Sequence, residues 1–163
     1  MIKKILVPYD NSRPAEHALN YTVDLVKNMK EQQQQEIILL HVIKSYDDSM
    51  RSFLSRKVQS PKTGDSITLE QYLKDIAIEI KIDAKNMLED KIKKIESNGF
   101  TIQSMILYGN PAEEILKFSE SEKIDLIVMG NVGLKGISKI KTLGSVSRNV
   151  LENSKCPVLI VHQ

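Results

Sequence analysis

Between Gly130 and Ser145 the chain reads GNVGLKGISKIKTLGS, and four of its seven glycines fall inside these residues. The stretch follows directly on an apolar run, Ile124–Met129, and leads into a pattern of helical periodicity. Glycine weakens strands and helices, so its concentration at such a junction marks backbone that needs positive φ or a close approach to something else. The chemistry that fits is anion binding, in which backbone N–H groups at a helix start form a cradle for phosphate. The N–H groups of Gly144, Ser145 and Val146 are placed for this, with the helix dipole adding to the attraction and the Ser145 hydroxyl adding a donor. Lys135, Lys139 and Lys141 make the intervening loop basic. A plain strand–helix connection would use the same residues, and the two readings stand side by side at this point.

Other chemistries find no support. There is no GxxxxGK[ST] loop, no GxGxxG after a strand and no GxSxG elbow. His17, His41 and His162 lie far apart, and one cysteine, Cys156, does not complete a metal-ligand spacing. His41 sits within an apolar run and reads as a packed, hydrogen-bonded residue. No nucleophile and base are found at a recognisable spacing, so a turnover enzyme is not expected. A net charge of +2, with five tyrosines and three phenylalanines scattered along the chain, gives no footprint for nucleic acid. A single cysteine precludes an intrachain disulfide and fits a reducing cytoplasm. MIKKILVPYD has too short an apolar run for a secretory signal, and no run approaches the length of a membrane span.

The elements that must hold the glycines are legible. Five apolar runs, Ile2–Pro8, Glu36–Ile43, Phe100–Tyr108, Ile124–Gly130 and Pro157–His162, have the near-continuous character of strands covered on both faces. Helical stripes alternate with them. Ala15, Ala18, Leu19, Leu25, Val26 and Met29 form the first, and Ser12 is placed to cap it. Leu69, Leu73, Ile76, Ile80, Ala84, Met87, Leu88, Ile92 and Ile95 form a longer one, with Asn98-Gly99 as a stop. Asn110 and Pro111 open a third helix as cap and first residue. Leu143, Val146, Val150 and Leu151 make the fourth. The alternation predicts one open, doubly wound α/β domain over residues 1–163 with helices on both faces of a five-stranded parallel sheet. Such sheets bind ligands beyond the carboxyl ends of their strands. About 25 residues, Lys44–Thr68, lack clear periodicity and follow the second strand on that side; connections of this length are lids, binding loops or disorder, and a functionally idle insertion stands beside the lid reading. The polar connector Glu31–Glu36 is given no role.

At the level of whole segments the chain resembles the ATP-binding universal stress proteins. Their glycine signature, Gly-x2-Gly-x9-Gly-[Ser/Thr], is similar to Gly130-x2-Gly133 followed by Gly144-Ser145, with ten intervening residues here, Leu134–Leu143, in place of nine. ILVPYDNS resembles the family's first strand and its terminal aspartate, LLHVI the second strand, GNPAEEIL the turn into the third helix, and CPVLIV the last strand. The resemblance implies a strand order of 3-2-1-4-5 and an adenine nucleotide as ligand, ATP first, with Mg2+ carried on its phosphates. Pro8, Tyr9 and Asp10 would line the nucleoside pocket, with Asp10 reaching its polar groups. Val42 would meet adenine through its backbone, and Met129 and Gly130 would flank ribose and base. Gly133, Gly144, Ser145 and Val146 would hold the phosphates. The implied role is a nucleotide-responsive regulatory protein. The rivals are a slow ATP hydrolase using Asp10, and a partner-binding module that has lost its nucleotide. With the implied order, Pro157–His162 is a border strand whose apolar core invites pairing into a homodimer.

Overall fold

The structure, a computed structural model, describes residues 2–29, 35–44, 54–95, 99–131 and 143–162. Within them the elements run β1 (Lys4–Pro8), α1 (Arg13–Lys27), β2 (Glu36–Lys44), β3 (Lys57–Gln59), β4 (Ser66–Thr68), α2 (Leu69–Lys93), β5 (Thr101–Gly109), α3 (Pro111–Ser121), β6 (Leu126–Gly130), α4 (Ser145–Asn153) and β7 (Val158–Val161). Five strands form one parallel sheet in the order β5-β2-β1-β6-β7. Counting only these five, that is 3-2-1-4-5.

Strand alternation divides the apolar residues between two faces. Ile5 and Val7 of β1, with Tyr9 just beyond it, pack with Ile37 and Leu39 beneath α1 and α2, where Ala18, Leu19, Val26 and Leu88 close the layer. Leu6, Ile38, Leu40, Ile127 and Met129 point the other way, onto Ala112 and Ile115 of α3 and Val150 of α4. The central strands are therefore buried on both sides, which explains why their sequences are continuous rather than alternating in polarity.

Local chemistry sets the helix starts. Ser12 Oγ accepts the Ala15 N–H at 3.3 Å, Thr68 Oγ1 that of Gln71 at 3.2 Å, and Asn110 Oδ1 that of Ala112 at 3.1 Å. At the opposite edge of the sheet, Asp125 Oδ2 accepts the N–H groups of Lys3 and Lys4 at 2.7 and 2.9 Å and so pins β1 to β6. Those two backbone bonds, first Lys4 and then Lys3, hold the Asp125 carboxyl below its usual range.

Two expectations change. The long connection after β2 contains a hairpin: β3 and β4 pair antiparallel around a turn in which Gly64 has φ +76. Residues 45–53 lie outside the described residues. The long helix ends at Lys93, capped at Lys94, before the expected stop. Gly99 instead, with φ +100, turns the chain toward β5; Asn98 lies outside the described residues.

Candidate functional site at the carboxyl edge of the sheet

The register brings the ends of β1, β2 and β6 together. Leu6 is opposite Ile127 and Pro8 opposite Leu40, so Pro8 and Tyr9 lie between Val42 and the Met129–Gly130 pair. The N-terminus of α4 joins them through two bonds. The Gly144 N–H donates to the Asn131 carbonyl at 2.7 Å, and Ser147 Oγ donates to the Gly130 carbonyl at 2.9 Å in a buried contact. These fix the first turn of α4 against the exit of β6.

This geometry refines what each residue has to offer. The Gly144 N–H is already committed to Asn131, so it is not one of the donors for an anion. Its φ of −62 with ψ of 159 is extended backbone open to any residue. What glycine provides there is the absence of a side chain: α4 has no side-chain cap, unlike α1, α2 and α3, and the N–H groups of Ser145 and Val146 start its first turn. Gly130 has a second reason to be glycine. A Cβ built on it would fall 2.5 Å from Pro14 Cβ and 2.7 Å from the Pro14 carbonyl carbon, so only glycine lets α1 start this close to β6. Met129 is buried against α3 and α4, and Val42 packs partly buried on the same side. Asp10 lies beyond β1, where Oδ1 accepts the Ser12 N–H at 3.1 Å, so it shapes the turn into α1. Gly133 and the lysines of the basic loop lie outside the described residues, as does the extra residue of the glycine pattern.

Tyr9 differs most from a pocket-lining residue. Only 2% exposed, its ring enters the layer under α1 and α2. Its hydroxyl donates to Glu16 Oε2 at 2.6 Å, and Lys91 Nζ of α2 reaches the same oxygen at 2.8 Å while lying 6.0 Å from the ring centroid. Burial, then the bond to Glu16 and its charge, push the phenol well above its usual range. Burial also opposes ionisation of Glu16, but the bonds from Lys91 and Tyr9 outweigh it and hold that carboxyl below its usual range. The Tyr9 carbonyl accepts from His41 Nδ1 at 2.7 Å, and its N–H donates to the Leu40 carbonyl at 2.8 Å. At this edge Tyr9 therefore presents backbone, held by bonds to β2 and α1, with Lys91 of α2 over its ring. The His41 contact agrees with the packed role expected for that residue.

Three participants were not singled out from sequence: Asn131, Ser147 and the Glu16–Lys91 pair. Asn131 follows Gly130 directly and Ser147 interrupts the apolar stripe of α4, so each left a faint trace. Lys91 left none, because its partner is a distant residue on another element.

A match to the universal stress protein family extends over residues 1–162. The chain belongs to the universal stress protein family. Universal stress protein MJ0577 of Methanocaldococcus jannaschii is 37% identical over 161 residues, 99% of this chain and 95% of the relative. The solved structure of MJ0577 superposes with a TM-score of 0.77 at 35% identity, covering 100% of this chain and 97% of that one. A family member from Arabidopsis thaliana, solved with AMP bound, shares the fold at a TM-score of 0.60 and 20% identity, over 99% of this chain and 92% of that one. The α/β architecture is thus that of universal stress proteins throughout. Among the described residues, no helix is long and apolar enough to cross a membrane.

Proposed function

We propose that this universal stress protein binds an adenine nucleotide, ATP foremost, at the carboxyl edge of its sheet and acts as a single-domain, nucleotide-responsive regulatory protein. One observation carries the reading. The first turn of α4 begins at a residue with no side chain, carries no side-chain cap, and is bonded to the exit of β6 through Asn131 and Ser147. Uncapped N–H groups at a helix start, facing the edge where α/β sheets take ligands, fit a phosphate. Ser145 and Val146 would supply the donors and Gly133 further backbone. Pro8, Asp10, Val42, Met129 and Gly130 would surround the nucleoside, with Tyr9 contributing main chain. That the fold accommodates AMP in the Arabidopsis thaliana protein agrees with this reading. Mg2+ would be carried on the phosphates. The reducing cytoplasm remains the compartment suggested by a single cysteine.

The test exploits the cap. Gly144→Asp puts a preferred capping side chain on α4, worth a few tenths of a kcal/mol over glycine. It also places a negative charge where phosphate would sit. Stability should hold or rise slightly while ATP binding to nucleotide-stripped protein, read by titration calorimetry, disappears. Unchanged ATP affinity in the folded variant would remove the phosphate role. Turnover is expected to be negligible. Phosphate release at roughly 1 per second or faster, abolished by Asp10→Asn, would make the hydrolase reading the better one.

The same reading includes a homodimer through β7. Among the described residues this strand pairs only with β6 and stands at the sheet's border, and its Val158, Leu159, Ile160 and Val161 are all half-buried. Pairing with a second β7 about a two-fold axis would satisfy its open backbone groups.

A further inference from the structure

Six consecutive residues in the middle of α2, Ile78–Asp83, are exposed, although the helix is half-buried before them and buried at Ala84 and Leu88 after them. The β3–β4 hairpin and strands β2 and β5 all pack against α2, yet these six residues stay exposed. Isoleucine occupies three of these positions, with 59% of Ile78, 43% of Ile80 and 52% of Ile82 exposed. A helix interior that displays β-branched apolar residues gains nothing in propensity from them, so their natural place is under a partner.

Helical geometry shows which partner. Ile78 and Ile82, one turn apart, form a stripe on the side of α2 away from the sheet-facing Ala84 and Leu88. Successive rotations of about 100° put Asp75, Glu79 and Asp83 along one flank of this stripe and Lys74, Lys81 and Lys85 along the other. An antiparallel copy would set acid flank on acid flank. A parallel copy, related by a two-fold axis along the helix, sets each acid flank against the other chain's lysine flank on both seams. We infer that this face of α2 is an interface for a second copy of the same chain, in which Ile78 and Ile82 meet their counterparts and Lys81 faces Glu79 of the partner. Glu79 already touches Lys62 of the hairpin turn within its own chain, but both are exposed, and exchanging such a pair costs little. The stripe is narrow beside the ~800 Å² per partner of stable complexes. A dissociation constant on the order of tens of micromolar is therefore expected.

The experiment is a charge-reversal cycle followed by sedimentation over a concentration series. Glu79→Lys alone places lysine against lysine on both seams, and Lys81→Glu alone places acid against acid. Each should lose one association step seen in the unaltered protein, with affinity weakened roughly tenfold or more at low salt. An equimolar mixture of the two variants makes both seams attractive again and should restore the step. Ile78→Ser with Ile82→Ser should abolish it in a form that mixing does not rescue. Helical content by circular dichroism separates loss of pairing from loss of fold, since every substituted side chain is exposed. The β7 contact contains none of these charges, so the step that moves with them reports on α2. Unaltered protein that shows no such step, reversals that leave it unchanged, or a mixture that fails to restore it would each overturn the inference. In those outcomes the face is covered by another protein or by nothing.

Discussion

Gly130→Ala separates two reasons for a glycine in the signature. The added Cβ would lie 2.5 Å from Pro14 Cβ, 2.7 Å from Pro14 C and 2.8 Å from its carbonyl oxygen. Ordinary carbon contacts need about 3.5 Å or more, so roughly 1 Å of separation must be found. Pro14 cannot rotate out of the way, because its ring is closed and two of the three atoms are backbone. Either the start of α1 lifts from the sheet or the end of β6 yields, disturbing the bonds that Gly130 and Asn131 make to α4. Overpacking costs about 1–3 kcal/mol, and a backbone obstacle argues for the upper part, about 2–3 kcal/mol. In a chain of this size each kcal/mol lowers the melting temperature by about 2–4 °C, so a fall of about 4–12 °C is expected. Thermal denaturation followed by circular dichroism, without nucleotide, reads this directly. A melting temperature within a degree of the unaltered protein would refute the packing argument. Gly130 would then be glycine for the ligand alone, and only ATP affinity would fall.

Tyr9→Phe removes the hydroxyl but leaves Glu16 paired with Lys91, so a loss of about 1 kcal/mol in urea denaturation is expected; no loss would mean the bond between β1 and α1 is idle. Glu16 and Asp125 are both depressed when folded, so their contribution is fully present above the unfolded carboxylate range of about pH 4 and is lost as pH falls through the lower folded values. The urea midpoint should drop on acidification below that range, and less steeply in Asp125→Asn; identical slopes in the two proteins would discount the Asp125 clamp. Leu159→Lys or Val161→Lys on the border strand should yield chains that no longer pair through β7, or insoluble protein. Sedimentation of the unaltered protein as a well-behaved monomer at micromolar concentration would defeat the β7 dimer.

The order of strands and helices, the caps at Ser12 and Asn110 and the packed character of His41 were all written locally. Apolar runs buried on both faces, a capping side chain a few residues ahead of a stripe and a proline at a first helical turn are short-range features that a linear reading captures. The hairpin of β3 and β4 escaped it, because strands of three residues carry too few apolar positions to show a period. The end of α2 escaped it because Ile95 continues the stripe past the point where the backbone stops being helical. Residue type marked Gly130 and Gly144 as special but left a phosphate cradle and a plain connection side by side, and it is the family resemblance that assigns both to a ligand. Only the folded chain shows that one makes room for Pro14, while the other donates its N–H to Asn131 and leaves α4 without a side-chain cap. The same holds for Tyr9, which the resemblance places in the pocket while its ring packs under α1 and α2, its hydroxyl on the Glu16 carboxylate that distant Lys91 also holds. Periodicity and capping act over a few residues and are fixed by the order of side chains. Close approach, the spending of a particular N–H and the partner of a buried phenol depend on which distant elements pack together, and that is decided only in three dimensions.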